Sequence, residues 1–278
     1  MEFIANEKKT LLDLLVENAP DSPKARLKGW IRDGRVCING RVIKKGTYIV
    51  DEGEQISIGK KRKFLDENLE ILFDDHDIVV VHKPAGLLSV DTDDGQATSA
   101  HRILKRQPKV QKVYPVHRID RDTSGVLVFA YSERARDGLK EQFFDHSIDR
   151  IYCAIVEGKP DPQEGTWISN LIEDENYVVR STKEGGKRAV THFRVTRVGK
   201  RYSLLEVKLE TGRKNQIRVH CSDAGHPIVG DEKYGALQSP FKRLGLHAQS
   251  LGFIHPVTKK KLSFKVPLPT CFLSQFSR

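Results

Sequence analysis

VHRIDRDTSGVLVFA, residues 116–130, joins a dense polar loop to an unbroken apolar run. His117, Arg118, Asp120, Arg121, Asp122 and Thr123 precede a Ser124-Gly125 turn, and residues 126–130 then carry no polar side chain. A short valine-rich run bounded by a turn has the pattern of a strand buried on both faces. Polar side chains at the mouth of such a strand are held rigidly, as a reaction centre requires. Two carboxylates and two guanidinium groups within five residues fit either a reactive centre or a structural Arg–Asp cluster that braces a loop.

Working outward, residues 71–73 and 78–81 are strand-like and are parted by the acidic turn DDHD. Residues 151–156, 191–196, 203–209 and 261–266 also read as strands, and 98–106 and 133–144 as helices. Strands outnumber helices and follow one another directly. This predicts an α+β domain with a mixed, largely antiparallel sheet rather than repeated βαβ units.

The first sixty or so residues form a separate pattern. Thr10 is placed to cap a helix with Leu11, Leu12, Leu15 and Val16 as its apolar positions, and Asn18-Ala19-Pro20 ends it. Ser22-Pro23 has the form of a second N-cap with proline at the first helical position. Leu27, Trp30 and Ile31 then recur at helical spacing, with Lys24, Lys28 and Arg32 on another face, up to Gly34. Asn39-Gly40 between short apolar strands is a strong hairpin signal. The basic run KKRK, residues 60–63, interrupts the pattern. We therefore expect a small domain over residues 1–60, a linker over 61–68 and a larger domain over 69–278.

The chain has 278 residues, 47 Lys and Arg against 37 acids, a net charge of +10 and a pI near 9.4. Residues 1–65 hold 14 basic and 9 acidic side chains. Such a balance suits a partner rich in phosphate. No apolar run is long enough to span a bilayer, and the N-terminus lacks the apolar core of a signal peptide. None of the four cysteines is within three residues of another and no Cys–His cluster has zinc-finger spacing, which argues against a zinc site or a disulfide framework. The expectation is a cytoplasmic protein with no membrane, no metal and no cofactor.

The stretches RLKGWIRDGRVCINGRVIKKG and DEGEQISI resemble an S4 RNA-binding domain. That resemblance implies RNA contacts from Lys24, Arg26, Lys28, Arg32, Arg35, Arg41 and Lys44. HRIDRDTSG, residues 117–125, resembles the catalytic signature of the RluA branch of RNA pseudouridine synthases. Further segments match that family in order: IVVVHKPAGLLSV, DRIYCAIVEG, ETGRKNQIRVH, GHPIVGDEKYGA and LHAQSLGFIHPVTKK. The resemblance implies a nucleophile at Asp120, an active-site tyrosine at Tyr152 and an arginine at Arg218 that pairs with Asp120. It further implies substrate contacts from Arg118, Ile217, Arg213, His117 and Lys83, with Lys83-Pro84 also fixing a turn under the active site. The family usually has histidine where this chain has Asn215, which cannot titrate near neutrality.

The implied reaction isomerises uridine in RNA to pseudouridine, with large-subunit ribosomal RNA as the expected substrate, transfer RNA as the alternative, and a monomer as the acting form. A carboxylate can attack the anomeric carbon and leave again, or deprotonate the sugar to give a glycal. Both routes stay open. Two other readings compete: a non-catalytic RNA-binding or ribosome-assembly protein, and a hydrolase using Asp120 and Asp122 as an acid/base pair.

Overall fold

The computed structural model describes residues 1–39, 41–59, 63–92, 97–108 and 110–276. Gly40 of the hairpin, residues 60–62 of the basic run and the side chain of Arg41 lie outside the described residues. The chain forms two compact units, Met1–Phe64 and Leu65–Arg278.

In the first unit the elements run β1 (Glu2–Ile4), β2 (Lys9–Thr10), α1 (Leu11–Asn18), α2 (Lys24–Arg32), β3 (Val36–Ile38), β4 (Arg41–Val42), β5 (Ile49–Val50), β6 (Gln55–Ile58) and β7 (Lys63–Phe64). An antiparallel sheet has the order β1-β6-β3-β4, and β2 pairs with β5. Leu11, Leu14, Leu15, Leu27 and Ile31 from the helices pack on Val36, Ile38, Val50 and Ile56. Thr10 caps α1 by accepting the Asp13 N–H at 3.3 Å. Two local expectations need correction. Leu14 faces the core and Val16 is exposed, because a buried helix stripe follows spacings of three and four. Pro23, not Ser22, is the residue before α2, since its ψ of 142° is still extended.

The second unit contains β8 (Glu70–Asp74), β9 (Ile78–Lys83), α3 (Ala100–Lys105), β10 (Tyr114–Pro115), β11 (Ser124–Ala130), α4 (Glu133–Phe144), β12 (Asp149–Glu157), β13 (Glu164–Glu173), β14 (Val179–Thr182), β15 (Lys187–Val198), β16 (Tyr202–Leu209), α5 (Gln216–Asp223), β17 (Leu246–Ile254), β18 (Lys261–Lys265) and α6 (Thr270–Leu273). Along the sheet the order is β14-β13-β15-β16-β12-β17-β11-β9-β8, with β10 beside β11 and β18 beside β17. Among the described ladders of this sheet the pairs are antiparallel except β11 with β17. The fold is thus α+β with a mixed, largely antiparallel sheet.

Strand β11 is buried along its whole length because both of its faces are covered. Val126, Val128 and Ala130 face Ala135 and Leu139 of α4, while Leu127 and Phe129 face Ile103 and Leu104 of α3. Alternation of side chains across the strand makes this division, and double coverage removes any polar face. Farther along the sheet, Ala154, Val156, Leu205 and Val207 pack under Ile217 and Cys221 of α5.

The parallel β11–β17 step brings the two backbones so close that only glycine fits at 125. A Cβ there would lie 2.1 Å from the Ala248 carbonyl oxygen, and the residue has a φ of +129°. Replacing Gly125 by Ala must separate the two strands, which we expect to cost at least ~3 kcal/mol. Gly235→Ala, also at positive φ but with open space around the added carbon, should cost only about 1 kcal/mol. Urea unfolding of both variants checks this; equal costs would contradict the packing argument.

Candidate active site

The loop at residues 117–123 leads into β11, and it is tied down on both sides of Asp120. Ser89 Oγ donates to the Ile119 carbonyl at 2.6 Å and accepts the Ile119 N–H at 3.2 Å. Gly86 N–H donates to the Arg121 carbonyl at 2.9 Å. Lys83 Nζ donates to the carbonyls of Pro84 (2.9 Å), Leu87 (2.6 Å) and Arg121 (2.9 Å). Thr123 N–H closes the turn onto the Asp120 carbonyl at 3.1 Å. The carboxylate therefore stands on a backbone with little freedom.

Lys83 is completely buried, and its three N–H bonds meet three carbonyls. The expected contact with substrate is corrected on that ground: the ammonium is a pin for the loop. Burial pulls its pKa down to about 7, opposed chiefly by the charge of Asp122.

Facing Asp120 is Arg218 on α5. Its Nη1 donates to Asp120 Oδ2 at 3.3 Å. Its Nε and Nη2 form a two-pronged pair with Asp231, both at 2.7 Å. The Arg218 side chain is 15% exposed, Asp120 27% and Asp231 1%. The guanidinium lies 4.9 Å over the Tyr234 ring. Burial works against the charge on Arg218, but the Asp231 hydrogen bond and the two carboxylate charges outweigh it and raise the pKa. The arginine is a permanent cation.

Asn215 precedes α5 in the left-handed region, with φ 54°. Its Oδ1 accepts from Arg218 Nη1 at 3.3 Å and its Nδ2 donates to the Tyr234 hydroxyl at 3.0 Å. Both functions need only an amide. Buried Gln216 accepts from Thr211 Oγ1 and Arg213 N, and donates to Val190 O and Thr191 Oγ1. It shapes the loop that presents Arg213, whose Nε reaches the Arg188 carbonyl at 3.0 Å.

Tyr152 reaches the same place from β12, at a register shift between β12 and β17. Burial raises its pKa, with Arg150 opposing and Asp120 adding to the rise. At neutral pH the phenol is intact and can donate a hydrogen bond. Asp120, Tyr152, Arg218, Arg118 and Arg213 line one cleft of about 60 Å³, with Ile217 in its apolar wall. Ile217 is itself a core residue, 4% exposed. Asp122 is exposed and absent from that cleft, so an Asp120–Asp122 acid/base pair has no geometric support.

His117 points elsewhere. Its Nε2 accepts the Val128 N–H at 3.1 Å and its ring stacks on Phe143 at 4.5 Å. Burial, reinforced by the Arg150 charge, pulls its pKa down to about 3. It is a neutral brace for β11 and lines a neighbouring cavity.

This arrangement can hold an ionised carboxylate next to a fixed cation and a flat phenol, in an apolar-walled cleft bordered by two further arginines. The profile of the RNA pseudouridylate synthase family matches residues 77–223, which span all of these side chains but Asp231 and Tyr234. The chain belongs to the RNA pseudouridine synthase family. An S4 domain profile matches residues 11–56. The synthase is 33% identical over 287 residues to the uncharacterized RNA pseudouridine synthase YhcT of Bacillus subtilis (strain 168), covering 97% of this chain and 94% of that one. It is 36% identical over 284 residues to the ribosomal large subunit pseudouridine synthase D of Pseudomonas aeruginosa, covering 91% and 87%. Among solved structures, human RNA pseudouridylate synthase domain containing 4 superposes with a TM-score of 0.61 at 26% identity, over 74% of this chain and 90% of that one.

In the S4 unit of the synthase, Lys24, Arg26, Lys28, Arg32 and Lys44 are exposed. Lys28, Arg32 and Lys44 line one groove of about 370 Å³ with Thr10 and Thr47. Lys24 and Arg26 are not part of that groove. Arg35 is half-buried, donating to the Gly59 carbonyl at 2.9 Å and lying 5.0 Å over Trp30. No helix among the described residues is long and apolar enough to cross a membrane.

Sequence reasoning gave Asp231 and Tyr234 no role. Their segment GDEKYG was visible only as a match; nothing local shows that its aspartate meets an arginine thirteen residues away.

Two outcomes follow from these contacts. Asp231→Asn leaves a mostly buried guanidinium short of its counter-charge and should cost roughly 3 kcal/mol in urea unfolding. Asp120→Asn, at the more exposed and longer contact, should cost well under ~1 kcal/mol. A reversed order would mean that Asp120 is the main anchor of Arg218. For Lys83 the folded pKa of about 7 lies below the unfolded 10.5, so between these values the unfolded chain binds the extra proton. Stability should rise with pH across that window. Lys83→Met removes this rise, and the gap in denaturation midpoint between wild type and variant should widen in favour of wild type from about pH 7.5 to about pH 9.5. A gap that stays constant would refute the assignment.

Proposed function

We propose that this synthase isomerises specific uridines of large-subunit ribosomal RNA, with Asp120 as nucleophile, Tyr152 stacking on the base and Arg218 holding the carboxylate. The observation that carries this reading is the Asp120–Arg218–Asp231 chain of charge at the cleft. The choice of ribosomal RNA rests on relatives of four-fifths or more shared length that carry that substrate in their names.

In the proposed reaction the C1′–N1 bond of uridine breaks and the freed uracil turns. C5 then bonds to C1′, C5 loses its proton and N1 gains one. The Asp120 carboxylate either attacks C1′ or removes the sugar proton that gives a glycal; Arg218 keeps it charged and aimed. The intact Tyr152 phenol offers a stacking face and a hydrogen-bond donor to the turning base. Arg118 and Arg213, at the cleft rim, neutralise backbone phosphate as the nucleotide leaves its stack. Lys28, Arg32 and Lys44 of the S4 groove grip RNA phosphates, which makes affinity salt-dependent. The proposed place of action is the cytoplasm.

The test maps pseudouridine by carbodiimide labelling and primer extension in RNA from cells lacking the gene, then complemented with wild type or Asp120→Asn. Sites in large-subunit ribosomal RNA should vanish on deletion, return with wild type and stay at background with the variant. Sites that return with Asp120→Asn would remove Asp120 as nucleophile; sites confined to transfer RNA would overturn the substrate.

A further inference from the structure

Beside the catalytic cleft lies a larger cavity, of about 460 Å³, which shares Arg118, Tyr152, Leu209 and Arg213 with it as a common wall. Its far side is built from Phe143, Phe144, His146, Arg150 and Gly212. Of these residues only Phe143 has a role above, as the ring on which His117 stacks.

Three features of the cavity point to one occupant. The first is Arg150, only 8% exposed. Its Nη2 donates to the Glu210 carbonyl at 3.1 Å and its guanidinium sits 5.7 Å over Phe143. Its Nε is buried with no hydrogen-bond partner. A buried guanidinium N–H without an acceptor is costly unless a ligand completes it. Gly212 makes room for this group, because a Cβ there would lie 2.6 Å from Arg150 Nη1. The second feature is charge: three arginines and no carboxylate line the cavity among the described residues. The third is Phe144, the last residue of α4, which is 83% exposed and lines the cavity. A bare aromatic ring beside clustered arginines is the composition that stacks a base and holds its phosphate.

We propose that this cavity is a second nucleotide subsite, which seats the nucleotide directly next to the target uridine on the same RNA strand. The inference rests on the functional reading above. Extruding the uridine into the cleft breaks its stack with its neighbour, and the shared wall puts the neighbour's place one nucleotide away. Phe144 takes over the lost stacking on the base, and Arg150 with Arg213 receives the phosphate between the two nucleotides. Because Phe144 reads a π-face rather than a base edge, the subsite requires a base without choosing which one.

The experiment uses the full-length protein and a ribosomal RNA fragment carrying a site mapped as above, intact or with an abasic residue immediately 5′ or 3′ of the target. Pseudouridine formation is read as kcat/KM from release of tritium at C5. For wild type, one of the two abasic fragments should be slower by about ten-fold or more, the effect of losing one base stack. Phe144→Ala, at an exposed position, should slow the intact fragment by a similar factor and no longer distinguish it from that abasic one. Arg150→Lys keeps a charge but not the planar fork and should raise KM on the intact fragment while changing kcat little. Equal rates of wild type on all three fragments, or an undiminished abasic effect in Phe144→Ala, overturn the subsite while leaving the functional reading intact. Failure of wild type to modify even the intact fragment overturns that reading, and the subsite with it.

Discussion

A carboxylate buried to 1% needs a permanent counter-charge, and Arg218 is that charge for Asp231. Much of the site follows from this one pair. Two of the five guanidinium N–H bonds go to Asp231 in a fixed fork, which sets the plane of the group. The plane then decides where Nη1 points, and it points between Asp120 and Asn215. Tyr234 closes one face of the plane. The cation beside Asp120 is therefore not free to follow it; the Asp120 carboxylate is presented to a cation already in place. Preorganised charge of this kind needs no rearrangement when charge moves during reaction.

The opposite wall obeys a different constraint. The turn after β9 and the loop before β11 present three backbone carbonyls to one buried spot. Only an ammonium group supplies three N–H donors on a single atom. Lys83 does so at the expense of burying a charge, and Asp122 offsets part of that expense. Together with Ser89 it clamps Ile119 and Arg121, the residues on either side of Asp120. His117 nearby is neutralised by burial and spends its ring on Val128 and Phe143.

Rigid and adaptable parts are thus divided. Tyr152 comes in on strand β12, where backbone position is set by the ladder, and Asp120 on a loop pinned by Ser89 and Lys83 just before β11. Arg118 and Arg213 stand on loops with exposed side chains, suited to following a flexible polyanion. Arg150 sits between these classes, buried like a core residue yet incompletely hydrogen-bonded.

Much of this was legible in the chain itself. The apolar run after Ser124-Gly125, the helix before residue 144, the Asn39-Gly40 hairpin signal and the Thr10 cap depend on backbone periodicity and turn chemistry, which act between near neighbours. The order of motifs was enough to name the family and to single out Asp120, Tyr152 and Arg218. What the sequence could not determine was decided by packing. Lys83 reads both as part of a turn under the active site and as a substrate contact, until its carbonyl partners, one of them 38 residues away, close around it. Asn215 reads as a side chain without a defined role until both ends of its amide find partners. Asp231 and Arg150 carry no local signature, because the meaning of a charge depends on burial and on the distance to groups remote in sequence. Arg218 and Asp120 are 98 residues apart; only the folded sheet brings them within reach.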